Sequence, residues 1–520
     1  MKKKILSLLS TFCMIVALVA VSGVPVFALS KNDTQKVTVS ELVEGTTVKA
    51  YKVIDMNVSD NGSIMDPTYT WLDNVAGWVE TNYNDYIGEN NQVTEEFTEL
   101  DDTGSKNFWQ ALGKHIKENE SSFVADKNAT AQKGETSVEL TLGMGEYVLL
   151  ANGGTKKIYT PAAVAVLPKK EADGNFTLAE SQNVDMKGEK MSLEKDIPEK
   201  NDQTVGIGSV IKYQLTNTIP TYPTNVEDGS IMYVIGDNMS EGLTFNNDVK
   251  VFADGKEVNA TGNYEIKTPG SDNNDFEVSF TQSFILANSE KTLTLKYSAT
   301  VNEKALVEGA LENTATLKYT RDPYNSTDYD TITDKEKAYT YNIEFDKVDN
   351  STEPKKLSGA EFALYESDGK TKISLIKIED GVYRLPKEDE ADTVDKLTST
   401  TGDFVIKGLD TGTYVLEETK SPNGYVLPAD SKVTVTLTDS EPDGALDQGT
   451  TKVEGTGIEV DKTSIDGVSF SFNVINKTAE DLELPVTGGT GIMMFTISGI
   501  ILMGGAVLLY VNNRRKNQAK

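Results

Sequence analysis

Cysteine and histidine are almost missing from this 520-residue chain, which has one of each, Cys13 and His115. Cys13 lies in an N-terminal apolar stretch that reads as an export signal. The exported portion therefore has no disulfide and no thiol nucleophile, although exported proteins often rely on disulfides for robustness. A single histidine leaves nothing from which to build a Ser-His-Asp triad or a multi-histidine metal site. His115 sits in the amphipathic stretch NFWQALGKHIKENE and reads as a surface or boundary residue. No nucleophile elbow and no glycine-rich phosphate loop is present. Carboxylates are abundant, but no spacing singles out a glycosidase pair. Nothing in the chain calls for a cofactor or a metal.

Positive charge is also scarce. The chain has 50 Lys and Arg against 80 Asp and Glu, a net charge of −30. Residues 29–487 hold 43 of those cations and all 80 acids, net −37. Such a surface disfavours nucleic acid and anionic lipid as partners and suits a solvated extracellular protein.

Lys2, Lys3 and Lys4 precede an apolar run from Ile5, and Val26-Phe27-Ala28 supplies a small-residue cleavage pattern. This order predicts a secretory signal peptide over residues 1–28, cut between Ala28 and Leu29. At the other end, the run from Ile492 to Val511 has twenty residues without a charge, about one bilayer span. Arg514, Arg515 and Lys516 follow after Asn512 and Asn513 and would stay in the cytoplasm.

Between these ends most of the chain reads as short β-strands, period-2 or β-branched runs broken by Gly, Asn, Asp and Pro. KVTVSEL, TVKAYKVID, KTLTLKYSATV, DFVIKGL, TYVLEET, KVTVTLT and SFSFNVIN are examples. The density of strands and turns predicts a mainly β protein of three tandem Ig-like sandwiches. Between Tyr69 and Phe123, TWLDNVAGWVETNYNDYI and SKNFWQALGKHIKEN carry apolar residues at helical spacing. They predict two helices inserted in the first sandwich, with Trp71, Trp78 and Trp109 packing them onto the sheet. Charged, turn-rich breaks place domains at 29–186, 187–338 and 339–479, with 480–520 as the C-terminal signal.

Leu484-Pro485-Val486-Thr487-Gly488, the apolar run and the basic tail together resemble the cell-wall sorting signal of Gram-positive surface proteins. The resemblance implies a sortase that cuts between Thr487 and Gly488 and passes the Thr487 carbonyl to an amine. Val164-Ala165-Val166-Leu167-Pro168-Lys169 resembles the pilin motif of Gram-positive backbone pilins, V-x-V-Y-P-K. Leu167 stands at its aromatic position, and Thr160 where tryptophan is usual. The resemblance implies Lys169 as the intermolecular nucleophile, with Lys170 as the fallback. Pro168 ends the strand ladder and exposes the next side chain.

Tyr414-Val415-Leu416-Glu417-Glu418-Thr419 with Ser421-Pro422-Asn423-Gly424-Tyr425 resembles the E-box YxLxETxAPxGY of Cna B-type domains, Ser421 replacing Ala. In that family the acid matching Glu418 promotes an isopeptide bond between a first-strand Lys and a last-strand Asn, here Lys347 and Asn476. Burial would lower the Lys pKa and raise that of the acid, leaving a neutral nucleophile and a proton donor. In the middle domain Lys195 and Asn313 resemble such a pair, with Asp237 as the acid and Glu241 as competitor. The first domain has a degenerate box, YVLLAN, with Ala151 at the acid position. Lys49 or Lys52 would lack a catalyst, so no bond is expected there.

The resemblance to a sortase-assembled major pilin covers essentially the whole chain. It implies a structural shaft subunit of a cell-surface pilus rather than a turnover enzyme. Its partners would be a pilus-specific sortase, copies of itself, minor pilins, peptidoglycan and a host surface ligand, with no nucleic acid. The alternatives are a wall-anchored monomeric adhesin on a stapled stalk and a minor basal pilin.

Overall fold

A computed structural model describes residues 29–481, apart from 61, 155–156, 171–175, 200–202, 223–225, 307–308 and 325–327, and five positions between 500 and 507. Residues 1–28, the Leu484–Gly488 motif, the basic tail and most of the C-terminal apolar run lie outside the described residues. Among the described residues no helix is long and apolar enough to cross a membrane.

The described chain falls into two compact units. The first draws on 1–202, 210–299 and 311–337, the second on 203–209, 300–310 and 338–520. The protein is mainly β.

In the first unit, Thr46–Val58 is central to a sheet with Ile64–Trp71 on one side and Gly145–Gly153 on the other; Ala162–Val166 extends it. Thr34–Ser40, flanked by Val138–Gly143 and Ser181–Asp185, forms a facing sheet. Val48, Ala50 and Leu149 pack with Val37, Val39, Leu140 and Leu142 between these layers. The opposite face, through Ile54, Met56, Val148 and Leu150, meets a helical layer. Two covered faces explain why residues 145–151 are all buried, a continuous buried run rather than an alternating one.

The helices run Asp73–Asn82 and Asp102–Glu118, with one turn at Glu95–Thr98 between them. Asp101 caps the long helix, its side chain accepting from the Gly104 N–H at 2.6 Å. One boundary differs from the expectation: Trp71 ends the strand Ile64–Trp71 rather than opening a helix. There its indole N–H donates to the Tyr86 carbonyl at 2.9 Å while its ring packs edge-on against Phe97. That hydrogen bond satisfies the buried indole donor. Trp78 stacks on His115 with ring centres 5.1 Å apart, which puts the lone histidine at the layer's boundary.

A second pair of five-to-six-stranded sheets completes this unit. One contains Glu194–Asp196, Val210–Thr218 and Thr292–Val301; the other contains Phe276–Phe280, Tyr233–Met239 and Leu311–Thr320. In the second unit, Asp403–Leu409, Tyr341–Asp349 and Ser469–Asn476 lie side by side, facing the sheet of Glu361–Tyr365, Gly412–Lys420 and Lys432–Leu437. Phe345, Phe362, Phe404 and Phe472 fill the space between them.

One buried group fits none of the expected roles. Glu146 is buried on the helix-facing side of its strand, and its Oε1 has no hydrogen-bond partner; the hydroxyl of Tyr69 also lacks one. Burial alone pushes the Glu146 carboxyl from 4.5 up to about 8. Between those values the folded unit holds a proton that the unfolded chain has released, so stability falls as pH rises through that window. Glu146→Gln should raise the unfolding midpoint above the native value at pH 8.5, by a gain on the order of 2–4 kcal/mol that vanishes near pH 4. Calorimetry at both pH values checks this; an equal effect at the two would refute it.

Candidate functional site

In the second unit, Tyr341–Asp349 alternates Ile343, Phe345 and Lys347 toward the sandwich interior, which leaves Lys347 fully buried. Its neighbour Ser469–Asn476 runs parallel, with Lys347 opposite Val474 and Asp349 opposite Asn476. Asn476 is thus two residues beyond Val474, on the same face and diagonal to the lysine. The Lys347 ammonium donates to the Val474 carbonyl at 2.7 Å. Glu418 comes from the opposite sheet, on Gly412–Lys420, and is 1% exposed.

Both carboxyl oxygens of Glu418, and Oδ1 of Asn476, have no hydrogen-bond partner. The Asn476 Nδ2 donates instead to the Val426 carbonyl at 2.9 Å. Burial pushes Lys347 down to about 8, against the pull of the Glu418 charge. Burial likewise pushes Glu418 up to about 7, opposed by the Lys347 charge and by the nearby Asn476 carboxamide. Asn476 exerts that effect without a hydrogen bond of standard geometry. Near neutral pH the pair thus has ready access to a neutral amine facing a protonated acid.

The first unit holds a second cluster. Lys195, on the three-residue strand Glu194–Asp196, is fixed through its backbone N–H, which donates to Asp334 at 2.7 Å. Its side chain, fully buried, donates to Asp237 Oδ2 at 2.6 Å and to the Tyr297 hydroxyl at 2.5 Å. Tyr297 in turn donates to Asp237 and accepts from Asn313 Nδ2 at 3.3 Å. Asp237 and Asn313 are diagonal neighbours on adjacent strands, since Asp237 pairs with Ala315. Asp237 Oδ1 and Asn313 Oδ1 have no partner. Burial lowers the Lys195 pKa and raises that of Asp237, each opposed by the other's charge.

Of the two acids considered, Asp237 is the one beside Lys195, whereas Glu241 is exposed. Two residues of this cluster escaped the sequence reading. Tyr297 bridges all three polar groups, and Tyr213 presents its ring to the lysine, 5.0 Å from Nζ to the centroid. The signal for Tyr297 was its inward register with Leu293, Leu295 and Ala299 in KTLTLKYSATV.

In the first sandwich, Ala151 is buried, Lys49 pairs with Glu120 and Lys52 with Asp55, both at partly exposed sites. Val164 and Val166 point into the core, and Lys169 and Lys170 are exposed on a two-residue strand paired with Phe176–Thr177. Lys170 lies over the Phe176 ring at 5.8 Å.

Three family models match the chain. Residues 207–323 match the Gram-positive pilin backbone subunit 2, Cna-B-like domain; 341–452 match a prealbumin-like fold domain; 481–518 match the LPXTG cell wall anchor motif. The chain thus carries a pilin-backbone domain, a prealbumin-like domain and an LPXTG anchor, the modules of a Gram-positive backbone pilin. This pilin is 27% identical to the trypsin-resistant surface T6 protein of Streptococcus pyogenes serotype M6, over 96% of its own length and 99% of the relative's. It is 25% identical to the fimbrial subunit type 2 of Actinomyces naeslundii, over 75% and 74% of the two chains. In fold it is similar to the three-domain T6 backbone pilin of S. pyogenes, with a TM-score of 0.54 at 21% identity, covering 87% of this chain and all of that one. The full-length major pilin SpaD of Corynebacterium diphtheriae gives 0.51 at 16% identity, covering 86% and 99%. This pilin is a structural protein of a cell-wall-attached surface pilus, and its relatives are structural subunits rather than enzymes.

Proposed function

We propose that this pilin is a shaft subunit, polymerised by a sortase that joins Thr487 of one copy to Lys169 of the next, and stapled internally by two self-formed Lys–Asn isopeptide bonds. Copies of the chain, a pilus-specific sortase, minor pilins and peptidoglycan are its partners. The observation that carries the reading is the pair of buried clusters, each a lysine, a carboxylic acid and an asparagine whose Oδ1 is bare.

In the Lys347 cluster, the neutral amine attacks Cγ of Asn476 while protonated Glu418 polarises the carbonyl oxygen. The new C–N bond forms as the old one breaks, and the proton lost by the lysine passes through Glu418 to the departing nitrogen. The products are one amide and one ammonia. Asp237 takes the same part between Lys195 and Asn313, with Tyr297 relaying hydrogen bonds. Each bond closes more than a hundred residues, which in the chain-entropy model of a cross-link stabilises by roughly 4–5 kcal/mol.

We assign the domains as 29–186, 187–338 and 339–479, so both staples fall in the stretch between Lys169 and Thr487. The exposure of Lys169 and Lys170 supports a nucleophile at this position, because an acyl-sortase must reach it.

Two measurements test the reading. The intact mass of recombinant residues 29–483 should fall about 34 Da below the formula value, two ammonias displaced. Glu418→Gln should restore about half of that deficit, as should Asp237→Asn. A mass equal to the formula value would sink both bonds. Wall extracts should show a high-molecular-weight ladder that survives boiling in detergent and disappears in Lys169→Ala. A single wall-linked band unchanged by that substitution would make the protein a monomeric adhesin instead.

A further inference from the structure

The segment after Glu418 continues as Ser421-Pro422-Asn423-Gly424-Tyr425, and the lysine–acid chemistry makes no use of it. This turn is tightly built. Gly424 sits at φ 88°, a backbone region that a side chain disfavours. The Tyr425 N–H donates to the Pro422 carbonyl at 3.1 Å, and the Ser421 hydroxyl donates to the Tyr425 carbonyl at 3.0 Å. Tyr425 bridges to Thr478, and the Val426 N–H donates to the Lys477 carbonyl at 3.0 Å. The turn is thereby pinned to the two residues directly after Asn476.

Its effect is to aim one carbonyl at the reacting side chain. Val426 O accepts from Asn476 Nδ2 at 2.9 Å. A carbonyl can only accept, so it selects the carboxamide orientation with nitrogen toward the turn and leaves Oδ1 for the acid. A pocket of about 540 Å³ is lined by Val426 and Asn476 together with Leu427, Ile458 and Ile475 among others. The middle cluster repeats the arrangement with different parts. There Asn313 Nδ2 rests on the Tyr297 hydroxyl oxygen, and Oδ1 is again bare.

We propose that the turn 421–426 is the leaving-group cradle of the Lys347–Asn476 condensation: the Val426 carbonyl holds the nitrogen that departs as ammonia, and the adjoining pocket is its exit. The proposal rests on the isopeptide reading of this cluster. The C–N bond to Nδ2 breaks as Lys347 Nζ bonds to Cγ, and the nitrogen takes up the lysine's proton delivered by Glu418. Val426 is a positioning residue acting through its backbone, so the side chains that shape the turn are the ones to change.

The full chain, made by cell-free synthesis in detergent, is sampled over time, quenched in acidic denaturant and digested. The readout is the peptide pair that joins Lys347 to Asn476. Gly424→Val and Pro422→Ala should form it about tenfold more slowly than the native chain, the size of one lost hydrogen bond in a transition state. The Lys195–Asn313 pair in the same digest should form at the native rate. A native chain that never forms the Lys347–Asn476 pair overturns the isopeptide reading itself. Native-rate formation in both variants overturns only the cradle.

A merely structural role is separated by the unreacted Glu418→Gln chain with labelled asparagine. Its Asn476 side-chain amide should exchange with solvent slowly, and adding Gly424→Val should speed that exchange about tenfold while other protected amides hold. Equal exchange in the two chains would count against the cradle.

Discussion

Desolvation of charge is the constraint on which the rest of this structure depends. Lys347 stands among Phe345, Val474 and the other apolar side chains between two sheets, where neither an ammonium nor a carboxylate is well solvated. A buried ion pair in such a place barely breaks even, because each ion gives up its hydration before the other attracts it. The alternative open to the pair is neutrality, with the proton on the acid. That distribution is also the one from which an amine can attack an amide. The feature that would make this core a poor one in an inert protein is the one that the proposed isopeptide chemistry would use. The same logic explains the tolerated bare oxygens of Glu418, Asp237, Asn313 and Asn476, each an unsatisfied acceptor that an ordinary core would pair.

The two clusters solve one problem with different parts. In the second unit the acid comes from the opposite sheet, while lysine and asparagine sit on adjacent parallel strands. In the first unit the acid and asparagine share adjacent antiparallel strands, and the lysine reaches them from the facing sheet. A tyrosine hydroxyl does in one what a backbone carbonyl does in the other. The shared requirement is an acceptor for the amide nitrogen and an acid within reach of the amine, and the fold fills it by whichever strand is close.

Much of this was legible in the chain. Period-2 runs placed the strands that carry Glu418 and Asn476, while Lys347 and Asn313, like the acid itself, were marked by the family resemblance. Asp237 stood out from Glu241 only by resemblance, yet alternation along Tyr233–Met239 buries the first and the turn after it exposes the second. The illegible part came from pairing distant in sequence. Tyr297 is sixty residues from Asp237, and nothing local marks a tyrosine as a bridge. The role of Val426 lies in its carbonyl, which no residue type encodes. Glu146 looked like any strand-start acid because the helical layer that buries it is contributed by residues far upstream. Trp71 was misplaced because a strand that ends in an aromatic beside a helix start shares its apolar spacing.

The parallel pairing of the strand Tyr341–Asp349 with Ser469–Asn476 has a consequence for reach. The chain enters this pair at one end and leaves it at the other, with eight residue pairs in register between. With Lys347 joined to Asn476, tension arriving at Tyr341 crosses to the second strand after a few residues and departs at Lys477. Everything between those two side chains, including the E-box and the whole facing sheet, becomes slack that no longer lies on the line of pull. The hydrophobic core could melt and the distance between entry and exit would scarcely grow. A fibre made of such links is inextensible by connectivity rather than by stability.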